Sequence, residues 1–364
     1  MVARLSASQS NAAEQVRSWL RTWRPRGQKP FFYLAGFAGT GKTTIARELA
    51  SSVSRASFAS FTGKAAHVMR SKGCVGAKTI HSLIYSYEDD ESGKPTFSLN
   101  EESEILDSDL VVIDECSMVG PEIGEDLLSF GRPVLVLGDP AQLPPVSGAG
   151  FFTSGEPDVL LTEVRRQDLE SPILRLATDI REGAPLELSN DPRCRVARKS
   201  DVMRETWPDY DQVIVGTNAL RRRLNSEIRG MLGRGDWVPK PSERVICLRN
   251  NRKTGLFNGQ IWGVDRCEEQ GKKLVLSVSE DGRGVVCPVH PEPFRGEKIN
   301  ERTRRSADEF DFAYAVTCHK SQGSEWDSVL VFDQSSIFRE NSRRWLYTAV
   351  TRAAEKLTVV VRDL

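Results

Sequence analysis

Several residue groups in this chain could do chemistry on a phosphate, and the densest is Gly36-Phe37-Ala38-Gly39-Thr40-Gly41-Lys42-Thr43-Thr44. Glycines 36, 39 and 41 let the backbone turn tightly and aim its N–H groups at phosphate oxygens, and a following helix adds its positive end. Lys42 is placed to reach the β- and γ-phosphates and Thr43 to hold Mg²⁺. The apolar run Phe31 to Ala35 precedes the loop, and Ile45, Leu49 and Val53 recur every fourth residue after it. Strand, glycine loop and amphipathic helix thus stand in the order a nucleotide-phosphate grip requires. Kinases, GTPases and motor ATPases share such a grip, so the reaction must be read from the rest of the chain.

Leu110-Val111-Val112-Ile113 runs into Asp114 and Glu115. A continuous apolar run reads as a strand buried on both faces of a parallel sheet. Asp114 at its end suits Mg²⁺, and Glu115 suits a base that polarises the attacking water. The pair argues for hydrolysis of ATP over transfer to a substrate. A second such strand, Pro133 to Asp139, leads into Pro140-Ala141-Gln142-Leu143-Pro144-Pro145, where Gln142 could sense the γ-phosphate. Arg165 and Arg166 offer guanidinium groups for phosphate, and Arg352, after Tyr347-Thr348-Ala349-Val350-Thr351, suits an arginine finger reaching across a cleft. Gln9 is either an exposed polar residue near a helix start or a reader of adenine, since its amide donates and accepts.

The elements that must carry these residues alternate between strand and helix. A helix is expected from about Asn11 to Trp23, capped by Ser8 or Ser10. The strand from Ala56 ends in the polar turn Thr62-Gly63-Lys64, where Thr62 and Lys64 are placed to hold phosphates of a polymer. His81 follows in Thr79-Ile80-His81-Ser82. Residues 85–104 break the alternation with an acidic stretch that reads either as a projecting hairpin or as a surface loop. From about residue 181 a second α/β unit begins, with Gln212 to Asn218 entering a basic helix over Ala219 to Arg229. Short alternating strands between 232 and 302 suggest a small inserted β-barrel. Thr317, His319, Lys320, Gln322, Gly323 and Glu325 then crowd into one polar turn, and Lys356 to Val361 reads as the last strand.

Length and composition agree with two domains. The 364 residues exceed what one core usually serves. Fifty basic and fifty acidic residues cancel, so a nucleic-acid surface must be a local patch. Seven scattered cysteines with no Cys-x-x-Cys pair read as reduced thiols, and four histidines lack zinc spacing. No apolar run nears the ~18 residues of a membrane span, and the first residues lack the apolar core of a secretory signal. A soluble, intracellular protein is the expectation.

The ordered motifs resemble superfamily 1 helicases, and among them the RecD-like branch with its Dda-like members, from Gln9 to Val361. Gln9 matches the adenine-reading motif, GFAGTGKTT motif I, FTGKAA motif Ia, TIHS a further DNA-contacting motif and DECSM motif II. GDPAQLPPV matches motif III, LTEVRRQ motif IV, TCHKSQGSE motif V and YTAVTR motif VI. The resemblance implies two RecA-like P-loop lobes, residues 1–180 and 181–364, with a pin hairpin over 85–104 in the first and an SH3-like β-barrel over 232–302 in the second. It implies that Gln9, Gly36, Ala38, Gly39, Thr40, Gly41, Lys42, Thr43, Thr44, Gly323 and Glu325 bind ATP, with Thr43 and Asp114 on Mg²⁺. Glu115, Gln142, Arg166 and Arg352 would join Lys42 in catalysis. Thr62, Lys64, His81, Phe97, Asn218, Thr317, His319 and Lys320 would face single-stranded DNA, Phe97 as the aromatic tip of the pin. Phe61 departs from the branch, which usually has proline there, and the β insertion is shorter than in Dda-like members.

The implied activity is ATP-dependent unwinding of DNA with 5′ to 3′ movement. Single-stranded DNA and single-strand/duplex junctions would be the partners of a monomer in the cytoplasm of a bacterial or phage-infected cell, alongside replication or recombination proteins. Two rivals stand beside it: a translocase that strips proteins from DNA and unwinds weakly, and a P-loop module that uses ATP only as a switch. RNA remains open as the polymer.

Overall fold

The structure is a computed structural model that describes residues 5–25, 29–89, 95–144, 150–163, 170–251, 254–256, 258–271, 273–280 and 282–361, with backbone alone at 87–89 and 95–97. The chain divides into two compact units, Met1–Arg175 and Leu176–Leu364.

The first unit opens with helix α1 (Ala7–Thr22). The alternation of β1 (Phe31–Gly36), α2 (Lys42–Ser51), β2 (Ala56–Ser60), α3 (Gly63–Ser71), β3 (Lys78–Thr79) and α4 (Ile80–Ile84) follows. After a hairpin, β4 (Tyr85–Asp89) and β5 (Pro95–Leu99), come β6 (Leu110–Asp114), α5 (Pro121–Ser129), β7 (Val134–Gly138) and β8 (Val159–Leu161). Six of these strands form a parallel sheet in the order β3-β2-β6-β7-β1-β8. The apolar runs read from sequence are its central strands, and β6 and β7 are buried on both faces, as a sheet covered by helices requires. Ile45 and Leu49 of α2 are fully buried against Phe32, Leu34 and Val112. Each such side chain contributes about 2 kcal/mol of transfer free energy, which docks α2 on the sheet and fixes the loop before it.

Helix α6 (Pro172–Glu182) carries the chain into the second unit. Its sheet runs β17-β11-β18-β19-β10-β9, from β9 (Ser189–Asn190), β10 (Cys194–Arg198), β11 (Gln212–Val215), β17 (Ala315–Thr317), β18 (Trp326–Phe332) and β19 (Ala353–Val361). All of its pairs are parallel except β9 with β10. Helices α7 (Asn218–Met231), α8 (Cys318–Ser321) and α9 (Ser342–Val350) belong to this unit. Between α7 and β17 lie β12 (Arg244–Cys247), β13 (Ile261–Gln270), β14 (Lys273–Glu280), β15 (Arg283–Val289) and β16 (Phe310–Phe312), in the antiparallel order β15-β14-β13-β12-β16. A bridge between Val289 and Asp308 joins the two ends of this sheet. Its strands therefore extend to residue 312, ten residues past the 302 expected from sequence, because Phe310 and Phe312 face the same core as Trp262 and Leu276.

A buried polar cluster roots the insertion. Glu243, with 0% exposure, accepts from Arg229 Nε at 2.8 Å and from the Tyr314 hydroxyl at 3.0 Å. Burying such a carboxylate is costly unless its lone pairs are filled, and here α7, the entry to β12 and the approach to β17 fill them. Asn225 adds a second tie, donating to the carbonyls of Phe312 and Ala315 and accepting from the Ala315 N–H.

Two local expectations change. Helix α1 begins at Ala7 rather than Asn11, because Ser6, not Ser8 or Ser10, caps it: the Ser6 hydroxyl accepts the Gln9 N–H and the Gln9 side chain accepts the Ser6 N–H. The 85–104 stretch contains a hairpin, with Tyr87 paired to Phe97 and Asp89 to Pro95. Phe97 therefore lies within strand β5, two residues from the paired end of the hairpin and not at its tip, and residues 90–94 lie outside the described residues.

Candidate nucleotide and nucleic-acid site

Strands β6, β7 and β1 are neighbours, with Ala35 paired to Gly138 and Ile113 to Val136. Their parallel direction brings the turns at 36–41, 114–118 and 139–142 to one carboxyl edge of the first unit, where open α/β sheets take ligands. Gly39 and Gly41 hold φ of 75° and 79°, a left-handed backbone that favours glycine. At Gly36 even a methyl group would meet Thr40 Oγ1 at 2.6 Å.

Lys42 folds back on its own loop, donating from Nζ to the carbonyls of Gly36 at 2.6 Å and Phe37 at 3.1 Å. These neutral acceptors hold the ammonium where a polyphosphate would displace them. Thr44 N–H donates to Gly41 O as α2 starts. Gln9 is buried, and its Nε2 donates to Thr40 O at 2.8 Å, so the amide ties α1 to the phosphate loop while its oxygen holds Ser6. Ala38 and Gly39 line the same turn, half-buried.

Thr43 Oγ1 donates to Asp114 Oδ2 at 3.2 Å. A hydroxyl and a carboxylate at this separation are the hard oxygen donors that fit a magnesium ion keeping several waters. The other oxygen, Asp114 Oδ1, accepts the Glu115 N–H at 2.8 Å. Glu115 itself stands at φ 54°, ψ 45°. Left-handed backbone costs a non-glycine residue roughly 1–2 kcal/mol, and here it turns the chain out of the strand line directly after Asp114. Gln142 is 7% exposed, its N–H bonded to Asp139 O, and its Oε1 has no partner among the described residues. Arg166 lies outside the described residues.

The residues expected on nucleic acid also gather at strand ends. In the first unit Ser60 pairs with Thr79, and Thr62 and His81 each lie two residues beyond that pair. Thr62 caps α3 by accepting the Ala65 N–H, and Lys64 is half-buried in the first turn. Phe61, the departure from the family pattern, packs edge-on against His81 at 5.8 Å, and His81 lies 5.9 Å from Tyr85 at the foot of the hairpin.

In the second unit Val215 pairs with Thr317, which brings exposed Asn218 and the 317–320 turn to one edge. His319 stands beside Phe338, and burial lowers its pKa, favouring the neutral ring. Burial, helped by the charge of Arg221, also lowers the pKa of Lys320, whose Nζ donates to Asn258 Oδ1 at 2.7 Å. Arg352 is buried, held by the carbonyls of Thr348 and Ser324 and by the Thr351 hydroxyl. Gly323 is buried at φ 70°, and Glu325 is exposed.

Sequence reasoning missed Gln334. Its Oε1 accepts the N–H groups of Gly216 at 2.8 Å and Thr217 at 3.2 Å, fixing the turn that presents Asn218. Sequence spacing gives no sign of it, for it reaches that turn from the far end of β18. All seven cysteines are free, as expected, and no described helix is long and apolar enough to cross a membrane.

Residues 4–192 match the family model described as an AAA domain, and residues 312–360 match the UvrD-like helicase C-terminal domain. The chain is 30% identical over 356 residues to the ATP-dependent RecD2 DNA helicase of Deinococcus radiodurans, covering 89% of this chain and 46% of that one. It is 26% identical to the RecBCD enzyme subunit RecD of Mycobacterium tuberculosis, covering 90% and 66%. It thus spans from about half to two thirds of the length of these relatives. Among solved structures it resembles Bacteroides Pif1 bound to single-stranded DNA, with a TM-score of 0.59 and 19% identity over 98% of this chain and 92% of that one. A Pif1 structure at forked duplex DNA gives 0.61 and 20% over the same shares. At these identities the likeness is one of fold, a RecA-like parallel-sheet core.

Proposed function

Since the chain belongs to the RecD-like family of superfamily 1 helicases, we propose that it is an ATP-dependent DNA helicase moving 5′ to 3′ along a single strand and parting the duplex ahead. The observation that carries the hydrolytic half is the joining of Thr43 to Asp114 at 3.2 Å, with Glu115 turned out beside them. Lys42 leaves its carbonyls for the β- and γ-phosphates, Glu115 takes a proton from the attacking water, and Gln142 and Arg352 engage the γ-phosphate. Mg²⁺, held by Thr43 and Asp114, would draw charge off the transferring phosphoryl group. Gln9 and Glu325 are read as contacts to base and ribose, and Arg166 as a further phosphate contact.

Thr62, Lys64 and His81 in one unit and Asn218, Thr317, His319 and Lys320 in the other are read as the grip on single-stranded DNA. Phosphate contacts make such a grip salt-dependent and nearly blind to sequence. Alternation of grip, timed by ATP binding and hydrolysis, converts each cycle into a step. We read the closed antiparallel sheet over 244–312 as the SH3-like insertion and the β4–β5 hairpin as the pin. A cytoplasmic monomer serving replication or recombination proteins completes the reading.

Strand displacement from duplexes with a 5′ or a 3′ tail tests the proposal, with Lys42→Ala as the control that binds DNA but does not turn over. Unwinding from the 5′ tail alone is expected. Unwinding from neither, with DNA-stimulated ATPase intact, would favour the protein-stripping translocase. For the pin, Phe97→Ala is expected to lower unwinding several-fold while DNA-stimulated ATPase changes less than twofold, since one stacked base is worth about 1–3 kcal/mol. Equal loss of both activities would argue against a pin.

A further inference from the structure

Resting on the function proposed above, we infer that Tyr33 is a positioning residue for hydrolysis, whose hydroxyl finds its acceptor on the 139–142 turn only when nucleotide is bound. Tyr33 lies in the middle of β1, behind the phosphate loop, and is 2% exposed. Its backbone is fully engaged, the N–H donating to Asp158 Oδ2 at 2.8 Å and the carbonyl accepting the Asp158 N–H at 3.0 Å. Its hydroxyl has no hydrogen-bond partner among the described residues.

The setting makes that orphan informative. A Cβ placed on Gly138 would stand 2.7 Å from Cys116 Sγ and 3.3 Å from Tyr33 Oη, so the phenol end, the turn after Glu115 and the start of the 139–142 turn converge on one point. Gly138 is the residue that leaves room for them. Two more buried polar atoms without partners among the described residues lie on the same two turns, Ser117 Oγ and Gln142 Oε1, on side chains that are 4% and 7% exposed. Buried polar atoms are nearly always paired in native proteins. Three that fail together, one on β1 and two on the turns that flank hydrolysis, indicate a hydrogen-bond set belonging to another state of the same site.

Donor and acceptor roles are complementary. Burial, with Cys116 and Asp139 near, pushes the Tyr33 phenol well above its ordinary pKa, so it remains a donor. Gln142 Oε1 can only accept. Engagement of Gln142 with the γ-phosphate moves its turn, and the Tyr33 hydroxyl holds the moved position. Tyr33 touches neither substrate nor water, and acts through Gln142.

The test is Tyr33→Phe, alone and combined with Gln142→Ala. DNA-stimulated kcat is expected to fall about tenfold, the equivalent of one hydrogen bond made on the way to the transition state, with KM for ATP within about twofold. The Tm of the free protein should hold or rise, because an unpaired hydroxyl is removed. The thermal shift produced by ADP with aluminium fluoride should shrink. In the Gln142→Ala background the substitution should have no further effect on kcat. An unchanged kcat overturns the inference, as does a fall in kcat that persists in that background or comes with a lowered Tm of the free protein. Wild-type protein without DNA-stimulated ATPase would overturn the proposed function itself and is recognised before any variant is made.

Discussion

Glu115→Gln is expected to lower DNA-stimulated ATP turnover by two to four orders of magnitude, about the range that a positioned general base supplies. The geometry gives the reason. Both oxygens of Asp114 are already engaged, one by the Thr43 hydroxyl and the other by the Glu115 N–H, and the same carboxylate is the one that suits Mg²⁺, so Glu115 is the better base for an attacking water. Glu115 follows it in left-handed backbone at φ 54°, a conformation that only a tightly determined turn maintains. Glutamine keeps the size of the side chain and meets the same backbone strain, so folding stability should change little. ATP affinity should hold or improve, because a negative charge beside the γ-phosphate is removed. Phosphate release and binding of a fluorescent ATP analogue, measured on the same preparation, separate the two effects. Turnover within about threefold of wild type would remove Glu115 from the role of base. Lost turnover together with lost ATP binding would mean that the substitution had collapsed the turn.

What the sequence made legible was the part written in local rules. β1, β6 and β7 announced themselves as unbroken apolar runs, and the phosphate loop by glycines that the left-handed turns at 39 and 41 require. Once those strands pair in the order β6-β7-β1, Lys42, Asp114 and Gln142 must share an edge. Contacts between distant segments were not legible. Gln9 was read either as an exposed polar residue or as a reader of adenine, and its contact with Thr40 O, made where α1 packs on α2, had no sign in the sequence. Gln334 serves a turn that lies 117 positions earlier in the chain. The start of α1 was misjudged because three serines lie close together and only the one three residues before Gln9 completes the reciprocal cap. The β insertion was seen as a pattern, but its end was not, since the short strand Phe310–Phe312 carries too few residues to show alternation.

Arg352→Ala is expected to reduce ATP turnover by about three orders of magnitude or more, the range over which a transition-state guanidinium acts, while single-stranded DNA still binds. The reason is an imbalance of charge. Arg352 is 6% exposed, and its three polar contacts are the Thr348 carbonyl at 3.0 Å, the Ser324 carbonyl at 3.1 Å and the Thr351 hydroxyl at 3.2 Å. Among the described residues no carboxylate pairs with it. The contrast lies in the same unit, where buried Arg229 meets Glu243 and buried Arg221 meets Asp311 at 2.7 Å. A desolvated cation without an anion is costly, and in the function proposed above the γ-phosphate is that anion. Removing the guanidinium should therefore leave the free protein as stable as before or more so, whereas removing Arg229 should lower the Tm markedly by taking the main cation from buried Glu243. Arg352→Lys should recover little activity, for an ammonium lacks the planar fork that spans two phosphate oxygens. Turnover near wild type in Arg352→Ala, or a fall in Tm as large as that of Arg229→Ala, would assign the buried guanidinium to structure alone.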